Sequence, residues 1–164
     1  GVTSRVLSTF LTWMQEKKSD VFVYATANDV SKLPPELLRK GRFDELWFVD
    51  LPQPSEREDI WAIQIEKHGR KPKQFKLDRL AAVTDGWTGA EIESVFKESL
   101  FAAFESDGEP TTELLEVLIK KSVPLSQTMQ EQIGALRSWA HGRARLASAA
   151  QDKQVSTTGR KINV

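Results

Sequence analysis

An unbroken apolar run, Val21 to Thr26, places the strongest constraint on the fold of this 164-residue chain. Apart from Ala25, its residues are β-branched or aromatic, and no polar residue alternates with them. Such a strand is typical of a parallel sheet covered by helices on both faces, because both sides of the strand must then be apolar. The run gives way to the turn residues Asn28 and Asp29. We therefore expect a buried parallel strand, and with it an α/β fold, early in the chain.

The elements around this run extend the α/β pattern. Residues 3–16 carry apolar side chains at helical spacing and predict an amphipathic helix. Leu33 to Gly41 begins with two prolines and ends in glycine, which predicts a short helix. Glu45 to Asp50 predicts a second strand, which Pro52 ends. The order helix, strand, short helix, strand is part of an α/β sheet domain and too little of one to stand alone.

Helical signals replace strand signals after Ser55. Two pairs with capping-box spacing, Ser55 with Glu58 and Thr88 with Glu91, each predict the start of a helix. Further helices are predicted over 77–84, after Thr111 or Thr112, and along the stripe Met129, Ile133, Leu136 and Ala140. We therefore divide the chain into an α/β segment (1–53), an all-helical subdomain (54–142) and a tail (143–164) of low apolar periodicity that we predict to be mostly disordered.

Composition narrows the possible functions. Lys plus Arg and Asp plus Glu both number 23, so no net charge attracts nucleic acid or an anionic membrane over long range. Cysteine is absent and the histidines, His68 and His141, lie far apart, so we expect no metal site. No apolar run is long enough to span a bilayer, and no signal peptide is evident. We take a cytoplasmic location as the default, and the start at Gly1, without Met, leads us to expect residues upstream.

Asn28, at the end of the predicted buried strand, is the first candidate for chemistry. Ligands of open parallel sheets bind beyond the carboxyl ends of the strands. An Asn side chain there can donate to a phosphate oxygen and orient a water molecule. The alternative is that Asn28 only helps the chain to turn, beside Asp29. From position alone, the turn is the more frequent role.

Arg39 and Arg42 are the second candidates. They lie three positions apart on either side of Gly41, so both can reach one anionic group. Guanidinium is permanently charged and matches phosphate oxygens in a bidentate way. The alternative is a solvated basic patch that pairs with neighbouring carboxylates, and the spacing by itself favours that alternative.

The order of these motifs closely resembles the second region of homology of the AAA ATPases. The resemblance rests on Tyr24 to Asn28, Leu33 to Glu45, and Leu51 with Pro52. In that family the Asn that ends the strand is sensor 1, and the two arginines of the Arg-x-Gly-Arg-Phe-Asp run are arginine fingers. The resemblance therefore assigns a catalytic role to Asn28, Arg39 and Arg42.

The helical part continues the resemblance. Pro52 to Lys67 is similar to the first lid helix of the family, and Gly86 to Ile92 is similar to its Gly-Ala turn, where a helix N-terminus approaches the nucleotide. These matches imply four nucleotide contacts: Ile60, Gln64, Gly89 and Ala90. Gln64 stands where the family often has His. The run Val123 to Ser126 is similar to AAA proteins of the Ycf46 type, so that the resemblance covers about 1–142.

The resemblance implies a fold and a function, with one departure. The expected fold is α/β followed by all-α, a partial parallel-sheet P-loop NTPase core with an AAA+ helical lid. The sequence contains no Gly-x-x-x-x-Gly-Lys-Ser/Thr loop and no apolar strand that ends in Asp-Glu. Such groups bind and polarise the triphosphate. We therefore expect ATP and Mg²⁺ to serve a parent ATP hydrolase, but not to bind tightly to this chain alone, which we expect to be inactive.

Three functional readings follow. The family implies a ring, usually a homohexamer, that uses ATP hydrolysis for remodelling, with a polypeptide as a possible substrate and no nucleic acid or membrane partner. The alternative is a non-hydrolysing, lid-bearing regulator or interaction fragment. A third reading is DNA binding, and it rests only on five basic residues: Arg143, Arg145, Lys153, Arg160 and Lys161.

Overall fold

Helices dominate the computed structural model, which describes residues 2–38 and 42–148. In chain order they are α1 (Val2–Glu16), α2 (Pro54–Lys67), α3 (Leu77–Val83), α4 (Gly89–Glu105), α5 (Thr112–Lys121), α6 (Leu125–Thr128) and α7 (Gln130–Ala140). Turns of 3₁₀-helix occupy Val30–Lys32, Pro35–Leu38 and Pro72–Gln74. The strands β1 (Trp47–Phe48) and β2 (Arg145–Leu146) pair in parallel. The predicted fold class, a partial α/β core followed by a helical lid, is confirmed.

The four helices α2, α3, α4 and α5, which we call the lid, enclose the hydrophobic core. Its buried members are Trp61, Ile65, Phe75, Leu80, Trp87, Ile92, Val95, Phe96, Leu115, Leu118 and Ile119. Phe96 lies at its centre, with its ring edge-on to Trp61 and Phe75 at centroid distances of 6.5 and 6.1 Å. Burial of one such side chain is worth roughly 1.5–3 kcal/mol, so these residues hold the four helices together.

The lid helices begin at polar caps. Thr88 and Glu91 form the predicted capping box: the Glu91 amide donates to Thr88 Oγ1 (3.3 Å) and the Thr88 amide donates to Glu91 Oε2 (2.8 Å). The prediction of a box at Ser55 and Glu58 is wrong, because α2 begins one residue earlier, at Pro54. Proline suits the first helical position and makes Gln53 the cap, whose amide donates to Glu56 Oε2 (2.7 Å).

The α/β segment departs most from prediction over 21–26. In place of a buried strand, the chain is extended without a strand partner among the described residues. Phe22 is 90% exposed and Tyr24 is 77% exposed. A strand needs a neighbouring backbone for its hydrogen bonds and packed elements for its faces, and no described element supplies them here. The second predicted strand, 45–50, is reduced to β1, and the predicted helix over 33–41 appears as the turn Pro35–Leu38, with 39–41 outside the described residues.

The chain returns to the α/β segment after the lid. We call residues 124–147, which contain α6, α7 and β2, the strap. The Arg145 amide donates to the Leu46 carbonyl and the Ala147 amide to the Phe48 carbonyl, both at 2.9 Å. Part of the predicted tail thus makes regular backbone hydrogen bonds, while 149–164 lie outside the described residues. No helix in the described part of the chain is long and apolar enough to cross a membrane.

Candidate functional site

A contact between α2 and the start of α4 joins two of the predicted nucleotide contacts. A Cβ added to Gly89 would lie 3.8 Å from both Cδ1 and Cγ2 of Ile60. The N-terminus of α4 therefore faces the Ile60 side chain, with room between them for a methyl group. Ala90 is exposed beside it. Because the first amides of a helix point out of its N-terminus, this end of α4 presents donors and a positive dipole next to an apolar surface.

Gln64 lies one turn further along α2 from Ile60. Its Oε1 atom is buried and has no hydrogen-bond partner among the described residues. Buried acceptors are almost always paired, and an unpaired one costs about 1–3 kcal/mol. Ile60 and Gln64 therefore lie on one side of α2, and Ile60 faces the start of α4 at Gly89.

The cap of α4 also contacts the strap. Glu91 Oε2 accepts hydrogen bonds from the amide and the hydroxyl of Thr88, at 2.8 and 2.7 Å. The other oxygen, Oε1, accepts from the amide of Leu125 at 2.6 Å. One carboxylate thus fixes both the helix start and a segment 34 residues further along the chain.

Asn28 lies on an exposed bend and makes no side-chain hydrogen bond to a described residue. Its neighbour Asp29 caps the following turn instead, accepting from the Ser31 amide (3.0 Å) and hydroxyl (2.6 Å) and pairing with Lys32 (3.0 Å). The hydrogen bond from the Ser31 hydroxyl, followed by that from Lys32, lowers the pKa of Asp29 from 3.8 to about 2. Asp29 therefore supplies the turn, and the amide of Asn28 is left available.

Arg42 is half-buried and makes no ion pair with a described residue, while Arg39 lies outside the described residues. The carboxylate of Glu45, one of the neighbours with which a basic patch would pair, is taken by Arg145 at 3.2 Å. Beside this segment lies a cavity of about 680 Å³, whose walls include Phe43 and Leu46 on one side and Trp139 on the strap. No contact among the described residues joins Asn28 or Arg42 to the Ile60 and Gly89 pair.

Two of the basic residues on which the DNA-binding hypothesis rests, Arg143 and Arg145, are described by the structure, and both make contacts within the chain. Arg145 pairs with Glu45 and its guanidinium lies 5.9 Å from the centre of the Trp47 ring. Arg143 donates to the Trp139 carbonyl at 2.8 Å. Lys153, Arg160 and Lys161 lie outside the described residues.

Arg57 is an important residue that the sequence analysis missed. Its side chain is buried, donating from Nε to the Ala81 carbonyl (2.9 Å) and from Nη1 to the Pro52 carbonyl (2.7 Å). Nη2 pairs with Asp85 at 3.1 Å. The sequence does contain a signal for this burial. Arg57 precedes Trp61 and Ile65 at intervals of four and so lies on the buried stripe of α2. Arg57 therefore joins the connection between the α/β segment and the lid, at the Pro52 carbonyl, to the lid helices α2 and α3.

Comparison with known proteins agrees with this arrangement. Residues 1–51 match the model of the ATPase family associated with various cellular activities (AAA), and residues 74–116 match the AAA+ lid domain. The chain therefore belongs to the AAA family, as the motifs predicted, and its helical part is an AAA+ lid.

Individual relatives show which AAA proteins this chain is similar to. The AAA domain-containing protein ycf46 of Pyropia yezoensis is 46% identical over 150 residues, which is 90% of this chain and 30% of that protein. Its counterpart in Guillardia theta is 46% identical over 152 residues, with the same coverage. The ATP-dependent zinc metalloprotease FtsH of Mycoplasmopsis pulmonis is 30% identical over 140 residues, 85% of this chain and 17% of that protein. The chain thus spans about 30% of the length of its ycf46 relatives.

Proposed function

We propose that this chain supplies the sensor, arginine-finger and lid parts of an ATP-hydrolysing AAA+ ring machine that remodels polypeptides. The single observation that carries the proposal is the lid cluster, in which the Ile60 side chain faces the start of α4 at Gly89 and the buried Oε1 of Gln64 has no hydrogen-bond donor among the described residues. The resemblance drawn from the sequence assigns these positions to the nucleotide, and Gly89 lies within the segment 74–116 that matches the AAA+ lid domain.

The lid cluster has the chemistry that an adenine base requires. A base needs a flat apolar surface, which the Ile60 side chain and the uncovered Gly89 backbone offer. Adenine carries an exocyclic amino group, a donor, at the position where guanine carries a carbonyl acceptor. Oε1 of Gln64 is buried in the nucleotide-free chain, so the side chain must turn for this oxygen to meet the base. With the oxygen facing the base, Gln64 accepts from the adenine amino group and disfavours the guanine carbonyl.

The α/β segment contributes the groups that act on the terminal phosphate. Asn28 orients the attacking water, and its amide has no competing partner among the described residues. Arg39 and Arg42 reach the nucleotide of a neighbouring subunit and stabilise the charge of the transition state, which makes a ring of identical subunits the working form.

Mg²⁺ is part of the chemistry of ATP hydrolysis, where it neutralises charge on the phosphates. Within the described residues, no three His, Cys, Asp or Glu side chains lie close enough together to hold a metal ion. The described residues therefore offer groups for the adenine and the terminal phosphate but no protein cluster for the metal, and we assign no step to Mg²⁺.

The finger assignment is tested in a protein of the full length of the relatives. Arg42→Ala should lower ATP turnover about a thousandfold, because loss of an arginine finger typically costs that much or more. Arg70→Ala is the matched control, since Arg70 pairs with Glu109 on the lid surface. Turnover that is unchanged in Arg42→Ala would refute the finger role. Mixed rings of wild-type and variant subunits should lose activity at the sites that receive a variant finger.

The base assignment is tested by Gln64→Leu in the same protein. Leucine is close in size and lacks the acceptor, so ATP affinity should fall about tenfold or more and the preference for ATP over GTP should decline. The stability of the nucleotide-free protein should not fall, because the substitution removes an unpaired buried acceptor. Calorimetric titration and thermal unfolding measure the two effects, and Gln74→Leu, at an exposed position, is the control. Unchanged nucleotide affinity would contradict the assignment.

A further inference from the structure

The strap contacts both sides of the connection between the α/β segment and the lid. This connection, residues 51–53, follows β1 and leads directly into α2. Connections of this kind absorb the backbone rotation when two parts of a protein move relative to each other. A segment that is attached on both sides of such a connection restricts that rotation, whatever ligand is bound.

The attachment to the α/β segment consists of several bonds. Two backbone hydrogen bonds of 2.9 Å join β2 to the β1 region. Arg137 on α7 donates from Nε to both carboxylate oxygens of Asp50 at 2.9 Å, and its Nη2 lies 2.8 Å from Oδ1. Asp50 in turn accepts from the amide of Leu51 at 2.7 Å, so the carboxylate that the strap binds is also bonded to the first residue of the connection.

The attachment to the lid is smaller. It consists of the hydrogen bond from the Leu125 amide to Glu91 Oε1, at 2.6 Å, and of the contact between Ser126 and Gly86. Gly86 has φ +75°, and a Cβ there would lie 2.6 Å from Ser126 Oγ, so the glycine is what allows the strap to approach. If Leu125 separates from Glu91, the Oε2 atom of Glu91 still caps α4 through Thr88.

We propose that the strap is a tether across the connection between the α/β segment and the lid, and that the Glu91–Leu125 hydrogen bond is its release point. The lid attachment separates first because it has one hydrogen bond, whereas the other attachment combines a parallel strand pair with a bidentate ion pair. Release leaves the cap of α4 and the lid core intact. The lid then rotates as a unit, and Glu91, two residues after Gly89, ties this motion to the end of α4 that carries the proposed base site.

The tether is tested by distance measurement on the full chain. The sequence contains no cysteine, so Val49→Cys and Gln74→Cys, both at exposed positions, provide one spin label on the α/β segment and one on the lid. Leu125→Pro removes the amide donor together with the leucine side chain. Proline suits the first position of α6, and Pro124 before it already has the extended conformation (ψ 145°) that a following proline requires. Leu125→Ala is the matched control because it keeps the amide.

We expect a single narrow distance distribution in the wild type and in Leu125→Ala. Leu125→Pro should lose the narrow component and shift the distribution to longer distances. Arg137→Ala, which weakens the other attachment without touching the lid core, should do the same. Circular dichroism confirms that each variant keeps its helices. A wild-type distribution in either Leu125→Pro or Arg137→Ala would overturn the proposal, as would loss of the narrow component in Leu125→Ala. No nucleotide is present, so the outcome is independent of the proposed ATPase function.

Discussion

The lid and the α/β segment differ in how far their apolar side chains are buried. The lid encloses its own core, in which Trp61, Ile65 and Phe96 are fully buried. In the α/β segment, Phe22 and Tyr24 remain almost fully exposed, and the buried apolar residues described there are Leu37 and Phe48. Helices satisfy their backbone internally and need only one packed face, whereas a central strand needs neighbours on both edges and both faces. We therefore infer that the lid is a stable unit in this chain and that the α/β segment depends on contacts beyond those described.

The largest expected effect on stability comes from comparing one substitution in each region. Phe96→Ala should lower the free energy of unfolding by about 3–5 kcal/mol, because it leaves a cavity at the centre of the lid core. Phe22→Ala should change it by less than about 0.5 kcal/mol, because that side chain is exposed. Urea unfolding, followed by the fluorescence of the buried Trp61 and Trp87, measures both. A large cost for Phe22→Ala would show that the α/β segment is packed after all.

A smaller effect is expected at the junction of the two regions. Arg57→Ala removes the donors to the Pro52 and Ala81 carbonyls and should cost about 2–4 kcal/mol. Arg79→Ala is the control, since Arg79 also has several partners but is 43% exposed, and its loss should cost no more than about 1 kcal/mol. Thermal unfolding compares the two. Equal costs would mean that burial of Arg57 does not matter.

The helix caps provide a third test, of about 1 kcal/mol. Thr88→Ala removes the oxygen that accepts from the Glu91 amide and should destabilise the lid by that amount. Ser55→Ala should be neutral within about 0.5 kcal/mol, because Ser55 lies inside α2 rather than at its cap. Chemical denaturation resolves the difference. If both variants lose the same stability, then Ser55 has a role in the start of α2 that the hydrogen bonds do not show.

The sequence predicts the lid better than the α/β segment. The lid helices and the Thr88 capping box could be read from residues that are near neighbours in sequence. The error at Ser55 is local too, since the structure follows the preference of Pro54 for the first helical position and not the capping-box spacing of Ser55 and Glu58. Phe104 has helical spacing from Phe96 and Leu100 and is nevertheless 80% exposed.

The candidate site divides in the same way. The pairing of Ile60 with Gly89 follows from two family motifs, and in the structure the Ile60 side chain faces the start of α4 at Gly89. The unpaired Oε1 of Gln64, the return of the strap to β1 and the partners of Arg57 depend on residues far apart in the chain, and no local pattern indicates them. The prediction of a buried strand over 21–26 is wrong for the opposite reason. Its apolar pattern is local, but a buried strand also needs neighbouring strands and helices, and the described residues supply none.

The smallest expected effect contrasts two carboxylates by pH. Hydrogen bonds from Lys97 and then Lys67 lower the pKa of Glu93 from 4.5 to about 2, and since Lys67 lies on α2, this contact joins two lid helices. A depressed pKa means that the contribution to stability is complete above pH 4.5 and is lost as the pH falls towards 2. Glu93→Gln should therefore flatten the acid limb of lid stability. Asp29→Asn should leave that limb unchanged, although the pKa of Asp29 is equally low, because its partners are Ser31 and Lys32 in the α/β segment. Denaturant melts between pH 2 and 6 distinguish the two, and an equal response would show that the two regions unfold as one.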